Sequence, residues 1–385
     1  MKKITLGLAA LIALNSPAFA QDEKPETRSS SEAVAQAKAR SSSGAVAQTK
    51  THPSPNAILD AAPDGEWVAI PAEDLLVMTL APAADGTPRE VVIQLMPAPF
   101  SQGWVSNIRT LARAKWYDGI TVNRVQDNYV VQWGDANGED EAKAKPLPEG
   151  LKVMDEGDYV SNFEEIHKAI PKTKKLSGNA TTGEEEMQLT ERLRIDRISS
   201  SSSKTETAPW GWFERDSYAG FVDHIFGWPI ATYDHVELEE ATFAPVHCYG
   251  MVGVGRGYSP DTGSGAELYT VIGHAPRHLD RNIALVGRII SGIEHLSSMT
   301  RGTGPLGFYT EEEAELRTPI QSIRVVSDLD DSDQPKYQYL STESESFAKY
   351  AEARANRRDP FFIKPAGGAD ICNIPVPIRA SLKNE

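Results

Sequence analysis

Apolar and polar positions follow the clearest pattern between residues 75 and 134. Leu75–Leu80 and Val91–Met96 are apolar runs on either side of Asp85 and Gly86, which predicts a β-hairpin. Ser101 then stands at the N-cap position of a predicted helix whose Trp104, Val105, Ile108, Leu111 and Ala112 share one face. Gly119 lies just beyond its end, and such an apolar face suits a helix that closes one mouth of a barrel. A second hairpin follows. Strict alternation would put Ile120, Val122, Arg124 and Gln126 on one face and Thr121, Asn123 and Val125 on the other. Tyr129 to Gly134 returns after the turn-forming pair Asp127 and Asn128. Further strands are predicted at Tyr249–Val254, Leu268–Ile272, Ile283–Gly287 and Ser322–Val326, with a second helix at Ser291–Met299. The strands number eight.

The flanks have different textures. Lys2 and Lys3 precede the apolar run Ile4–Leu14, and Ala18 and Ala20 frame Phe19, so Met1–Ala20 is expected to be a secretory signal peptide cleaved after Ala20. Residues 21–62 are expected to form a disordered linker. Within it, Ser29–Lys38 is echoed by Ser41–Lys50 as a duplicated polar, alanine-rich unit with no large apolar face. Residues 63–329 are expected to be the folded domain, interrupted by an insertion at about 136–240. That insertion holds a polar, Ser-rich part from Lys172 to Thr207, expected to be mobile. It then turns aromatic, with Trp210, Trp212, Phe213, Tyr218, Phe221, Phe226, Trp228 and Tyr233. The aromatic cluster is expected to form a satellite core, with a platform for client chains as the alternative. Residues 330–385 are a C-terminal extension with a helical stretch around Ser346–Arg358.

Composition excludes several functions. The 385 residues carry 39 basic and 54 acidic side chains, and loss of Lys2 and Lys3 takes the net charge from −15 to −17, which disfavours nucleic-acid binding. A hydrophobic content of 40% fits a globular body that is not membrane-embedded. The only cysteines are Cys248 and Cys372. In an oxidising compartment this even count allows one disulfide, tying the C-terminal tail to the body and contributing about 4 kcal/mol in the chain-entropy model. No metal site is expected, because two distant cysteines lack ligand spacing and Pro276 interrupts His274 and His278. No cofactor is expected either. Gly253, Gly255 and Gly257 lack the following amphipathic helix and acidic partner of a dinucleotide fingerprint, and are expected to serve close packing.

The most telling stretch is Trp116–Asp135, WYDGITVNRVQDNYVVQWGD, which sets Arg124 and Gln132 on adjacent strands. Three of its elements, Trp116-Tyr117-Asp118-Gly119, Val122-Asn123-Arg124-Val125 and Tyr129 to Asp135, resemble the signature of the cyclophilin-type peptidyl-prolyl isomerases. That signature reads F/Y-Y-D-G, x-x-H-R-V, then F-x-x-Q-G-G-D. Tyr249–Arg288 is similar to the family's G-x-x-x-M-A-x-A, G-S-Q-F-F-I, W/H-L-D-G and V-F-G-x-V segments in the same order. The resemblance spans about Leu75 to Asp328. It implies a mainly β fold, an eight-stranded antiparallel closed β-barrel capped by two helices, with a long insertion and a C-terminal extension.

By the same resemblance Arg124 is the catalytic donor and Gln132 orients it and holds the substrate carbonyl side. Tyr129, Val130, Gly255, Arg256, Gly257, Glu267, Tyr269, His278 and Leu279 are the expected substrate-binding residues. The chain departs from the family's usual residues at several of these. Glu267 replaces glutamine, Leu268 and Tyr269 replace two phenylalanines, and Ile283 stands where a histidine is frequent. Val254 and Gly255 replace methionine and alanine, and Arg256 and Gly257 replace asparagine and alanine. Glu267 is expected either to ion-pair with Arg124 and reduce its availability or to hold the guanidinium in place. The implied function is rotation of X-Pro bonds in proline-containing polypeptide clients, in the periplasm if the source is bacterial. The alternative is a catalytically weak proline-binding or chaperone-like module. A hydrolase using Ser264 with His274 or His278 lacks a G-x-S-x-G elbow.

Overall fold

The run Leu75–Leu80 is apolar at nearly every position because both faces of the strand it forms are covered. In the computed structural model, which describes residues 52–176, 216–233 and 240–381, Leu76 and Met78 point into the main core while Leu75 and Val77 pack outward against Val326, Leu329 and Tyr337. The leader-like segment, the duplicated unit, most of the Ser-rich run and Trp210, Trp212 and Phe213 lie outside the described residues.

Eight strands form the main sheet: β1 (Leu75–Leu80), β2 (Arg89–Leu95), β3 (Thr121–Val125), β4 (Val130–Gly134), β5 (Met251–Val254), β6 (Leu268–Val271), β7 (Leu285–Ser291) and β8 (Ile320–Val325). Their spatial order is β8-β1-β2-β7-β5-β6-β4-β3, and each neighbouring pair is antiparallel. The sheet nearly closes on itself. Val122 N–H donates to Thr318 and Ile320 N–H to Ile120, joining the entry of β3 to the entry of β8. This is the expected eight-stranded antiparallel barrel.

The helix Gln102–Arg113 lays Trp104, Val105, Ile108, Leu111 and Ala112 into the barrel core, all essentially inaccessible to water. Ser101 occupies its N-cap position in a left-handed conformation (φ 53°), and its side chain makes no capping bond. Trp104 Nε1 instead ties the helix to the carbonyls of Thr262 and Gly263. The second helix is only Glu294–Ser297, because β7 runs on through Ser291 before Gly292, at φ 80°, breaks the strand. Tyr117 and Asp118 are structural: the Tyr117 hydroxyl donates to the Gly265 carbonyl at 2.6 Å, and Asp118 takes both terminal nitrogens of Arg324.

The alternation predicted for β3 fails at one residue. The register shifts between Val122 and Arg124, so that Val122 pairs with Trp133 and Val125 with Val131, all four in the core, while Arg124 pairs with Gln132. Asn123 is the extra residue of a β-bulge. Val122 and Arg124 therefore face opposite ways, not the same way. Asn123 Nδ2 donates to the Gly134 carbonyl and its Oδ1 accepts from the Thr121 hydroxyl, which satisfies the bulge with local polar groups.

The flanks add two further sheets. Ser161–Asn162, Phe221–Ile225, Trp228–Tyr233 and Thr242–Pro245 form a four-stranded sheet within the insertion. Phe226, Trp228 and Tyr233 are buried, but they join the main core instead of forming the expected satellite core, and Tyr218 is exposed. Trp67–Ala69, Tyr337–Leu340 and Ile378–Ala380 form a three-stranded sheet. Residues 55–60, expected in the linker, instead form a helix capped by the Ser54 hydroxyl. Ile58 and Leu59 pack there with Phe347 and Tyr350 of the C-terminal helix Glu345–Ala355. Cys248 and Cys372 are disulfide-bonded across 124 residues, joining the start of β5 to the C-terminal segment.

Candidate active site

The bulge in β3 creates the site. It rotates Arg124 onto the outer face of the barrel directly opposite Gln132, and the registers continue the row through Tyr269 on β6 to Gly253 on β5. Four strands thus present arginine, glutamine, tyrosine and glycine side by side. Cross-strand neighbours on one face lie about 5 Å apart, close enough for a guanidinium, a carboxamide and a phenol to share one groove.

Arg124 Nη1 donates to Gln132 Oε1 at 2.9 Å, and Gln132 Nε2 donates in turn to Glu267 at 2.8 Å. Of the two arrangements expected for Glu267, the direct ion pair with Arg124 does not form; the carboxylate reaches the guanidinium through Gln132. Arg124 Nε donates to the Leu306 carbonyl at 2.7 Å and Nη2 to Gln126. The guanidinium is also held between two rings, 5.5 Å from the centre of Tyr129 and 5.3 Å from that of Phe308. Burial lowers the pKa of Arg124 and raises that of Glu267 above the usual carboxylate range, although the Gln132 bond and the Arg124 charge act against the latter.

Beside this polar row lies an apolar floor. Val130, Tyr269 and Val271 are buried together, with Tyr129 and Ile283 packed against them. His278, exposed on the turn Arg277–Leu279, stacks over Tyr129 at 6.4 Å with ring planes 9° apart. Leu279 occupies the same turn and is half-buried. The glycines behave as packing residues: a Cβ on Gly253 would lie 2.3 Å from the Tyr269 hydroxyl, and one on Gly255 2.8 Å from Glu267. Arg256 turns away, giving Nε and Nη2 to the Asn282 carbonyl and Nη1 to that of Gly257, while Gly257 N–H donates to Asp261.

Arg124, Gln132, Tyr129, Val130, Glu267, Tyr269, Gly255 and His278 thus make a connected constellation, while Arg256 and Gly257 belong to a loop at its edge. Sequence reading missed Phe308 and the Leu306 carbonyl, which come from a connection nearly 200 residues from Arg124 and carry no motif. It also missed His247, which is fully buried and bonded to the Tyr269 hydroxyl at 2.8 Å.

This constellation can place a rigid, charged N–H donor beside an apolar hollow without any nucleophile or acid–base pair. The family model for cyclophilin type peptidyl-prolyl cis-trans isomerase/CLD matches residues 90–325. Among solved structures the chain is similar to cyclophilin AquaCyp293 from Hirschia baltica, at 18% identity over 86% of this chain and 98% of that one, with a TM-score of 0.55. At that identity the likeness is one of fold. Two structures of a cyclophilin type peptidyl-prolyl cis-trans isomerase from Cryptosporidium parvum, one with the dipeptide Ala-Pro, match at 10% identity and TM-scores of 0.30. They cover 64% and 65% of this chain and 98% and 97% of theirs. No curated protein matches the chain.

Proposed function

The chain belongs to the cyclophilin-type peptidyl-prolyl cis-trans isomerase family, and from that premise we propose that Arg124 lowers the barrier to X-Pro rotation by binding the twisted amide. The barrier is about 18–20 kcal/mol because twisting removes amide resonance. In the twisted state the prolyl nitrogen turns pyramidal and regains a lone pair. A fixed donor that meets this lone pair stabilises the transition state more than the planar ground state.

The observation that carries the reading is the state of the guanidinium. The described residues take three of its five N–H groups, one each from Nε, Nη1 and Nη2. The second hydrogens of Nη1 and Nη2 remain for a substrate, and the three bonds fix the plane in which they point. The apolar floor of Val130, Tyr269 and Ile283 would take the pyrrolidine ring, and Gln132 would orient Arg124. Exchange spectroscopy on a short Ala-Pro peptide tests this directly. Cis–trans exchange faster than the uncatalysed rate is expected, and a peptide that binds without faster exchange would instead support a proline-binding module.

Export belongs to the same proposal. Met1–Ala20 reads as a cleaved leader, and the Cys248–Cys372 disulfide suits an oxidising compartment such as the periplasm. N-terminal sequencing of the mature protein is expected to begin at Gln21; a mature chain that retains Met1–Ala20 rejects export by this route.

A further inference from the structure

Tyr269 brings a hydroxyl to the floor of an otherwise apolar hollow, and a chain of buried groups holds that hydroxyl. Its oxygen lies 2.8 Å from His247 Nε2, and the two rings are stacked with planes 9° apart. His247 Nδ1 lies 2.8 Å from Asp280 Oδ1, which also accepts the backbone N–H of His247 at 3.0 Å. Asp280 Oδ2 accepts Arg277 Nε at 2.6 Å, and the terminal nitrogens of Arg277 clasp Asp216 at 2.7 and 3.0 Å. His247, Asp280 and Arg277 are respectively 0%, 5% and 3% exposed.

The direction of these bonds follows from the inventory of donors. An ionised Asp280 only accepts, so Nδ1 carries the proton toward it. A neutral ring then accepts the Tyr269 hydroxyl at Nε2, and a charged ring donates to it; in both cases the phenol is fixed. Burial pushes the Tyr269 hydroxyl well above the usual phenol range, so it stays a hydroxyl in this network. Room for it comes from Gly253, the cross-strand partner of Tyr269, where a Cβ would lie 2.3 Å from the hydroxyl oxygen.

His247, Asp280, Arg277 and Asp216 are not among the residues that line the groove, yet taking charges out of water is costly, and replacing a buried ion pair with apolar side chains is frequently neutral or stabilising. Stability alone therefore does not account for the network. Its end point does, because it stops at the ring that shares a face with Arg124 and Gln132.

We propose that His247, keyed by Asp280 and Arg277, is a positioning residue that pins the Tyr269 ring at the floor of the proline-binding hollow and so sets affinity for the prolyl group. The proposal rests on the isomerase reading above. Through Asp216 the relay also ties the inserted segment to the groove, giving the insertion a part in substrate binding.

Two variants perturb opposite ends of the Tyr269–Gly253 contact. Tyr269→Phe removes only the hydroxyl, and Gly253→Ala pushes it away from His247 without substituting any relay residue. Each is assayed in the full mature chain for KM and kcat, and for the Kd of an Ala-Pro peptide by NMR titration. Loss of one buried hydrogen bond corresponds to about a fivefold effect. Both KM and Kd are expected to rise by that factor, with kcat changing less. A Tyr269→Phe protein that melts earlier but keeps the intact protein's KM and Kd assigns the relay a purely structural role and overturns the proposal. An intact protein that binds the peptide without catalysis rejects the isomerase reading alone, and the Kd of the two variants then decides this inference by itself.

Discussion

Arg124 and Gln132 face each other across β3 and β4 at 2.9 Å only because Asn123 is an extra residue in the strand. Removing the guanidinium while keeping the bulge isolates its contribution. Arg124→Ala is expected to lower kcat/KM about 10²–10³-fold, the usual effect of deleting one preorganised donor. Arg124 is half-buried at the groove, so the melting temperature should move little. Arg124→Lys should recover less than a tenth of the activity, because an ammonium cannot hold Gln132, Gln126 and the Leu306 carbonyl at once. Full activity in Arg124→Lys would show that charge alone suffices and that the three-point fixation is irrelevant.

Glu267 predicts a pH dependence. Burial raises its pKa, so it takes up a proton at a higher pH than an ordinary glutamate. Because the folded-state value lies above the unfolded one, its contribution to stability is greatest in acid and is lost as pH rises through the raised value. Protonation removes a negative charge that Gln132 couples to Arg124, and the guanidinium then acts more strongly on the prolyl lone pair. As pH falls through that raised value kcat/KM should therefore rise, by about threefold for a charge screened at this depth. Glu267→Gln should show the higher rate at every pH and a flat profile. A variant slower than the intact protein would mean that the carboxylate supports Arg124 by holding Gln132.

Much of this was legible in the sequence, and what was not has identifiable causes. The eight strands and the capping helix could be read because alternation and helical spacing report burial directly. Leu75–Leu80 already shows its two covered faces in an unbroken apolar run. The facing of Arg124 could not be read from alternation, since a bulge inserts one residue without any compositional mark; the family motif nevertheless paired it correctly with Gln132. Phe308 and the Leu306 carbonyl were invisible because a single ring and a backbone oxygen from a loop acquire their role only through closure of the fold. His247 lacked any motif, and its partner Asp280 belongs to a segment already accounted for by the W/H-L-D-G resemblance. The three-stranded sheet was missed because its strands come from both ends of the described chain.

The Cys248–Cys372 bond closes a loop of 124 residues and follows His247 directly in sequence. Closing a loop of that length contributes roughly 4–5 kcal/mol in the chain-entropy model. Reduction, or the Cys248→Ala/Cys372→Ala pair, should lower the melting temperature by about 6–7 °C, since a body larger than about 250 residues shifts by less than about 2 °C per kcal/mol. Differential scanning fluorimetry with and without a reductant measures this. Equal melting temperatures in the two conditions, with thiol labelling confirming reduction, would show that the C-terminal segment is held by its packing alone.

Arg288 gives the least intuitive expectation. It lies buried on β7, donates to Gln94 Oε1 at 2.9 Å and to the Gly227 carbonyl at 2.8 Å, and stacks over Trp228 at 4.3 Å. Among the described residues no carboxylate forms an ion pair with it, and burial pushes its pKa down. Replacement by lysine keeps the charge and so keeps the desolvation penalty. It loses the planar stack and the fork that reaches two acceptors, and the charged-group bonds involved are worth about 1.5–3 kcal/mol each. Replacement by methionine loses the same bonds and strands two acceptors, but it removes the buried cation and keeps a similar volume against Trp228. Arg288→Lys should therefore be the less stable of the two in urea, by about 2 kcal/mol, although it is the conservative change by charge. The reverse order would mean that the cation is satisfied where it lies, and that the Trp228 face and the Gly227 carbonyl compensate its burial in full.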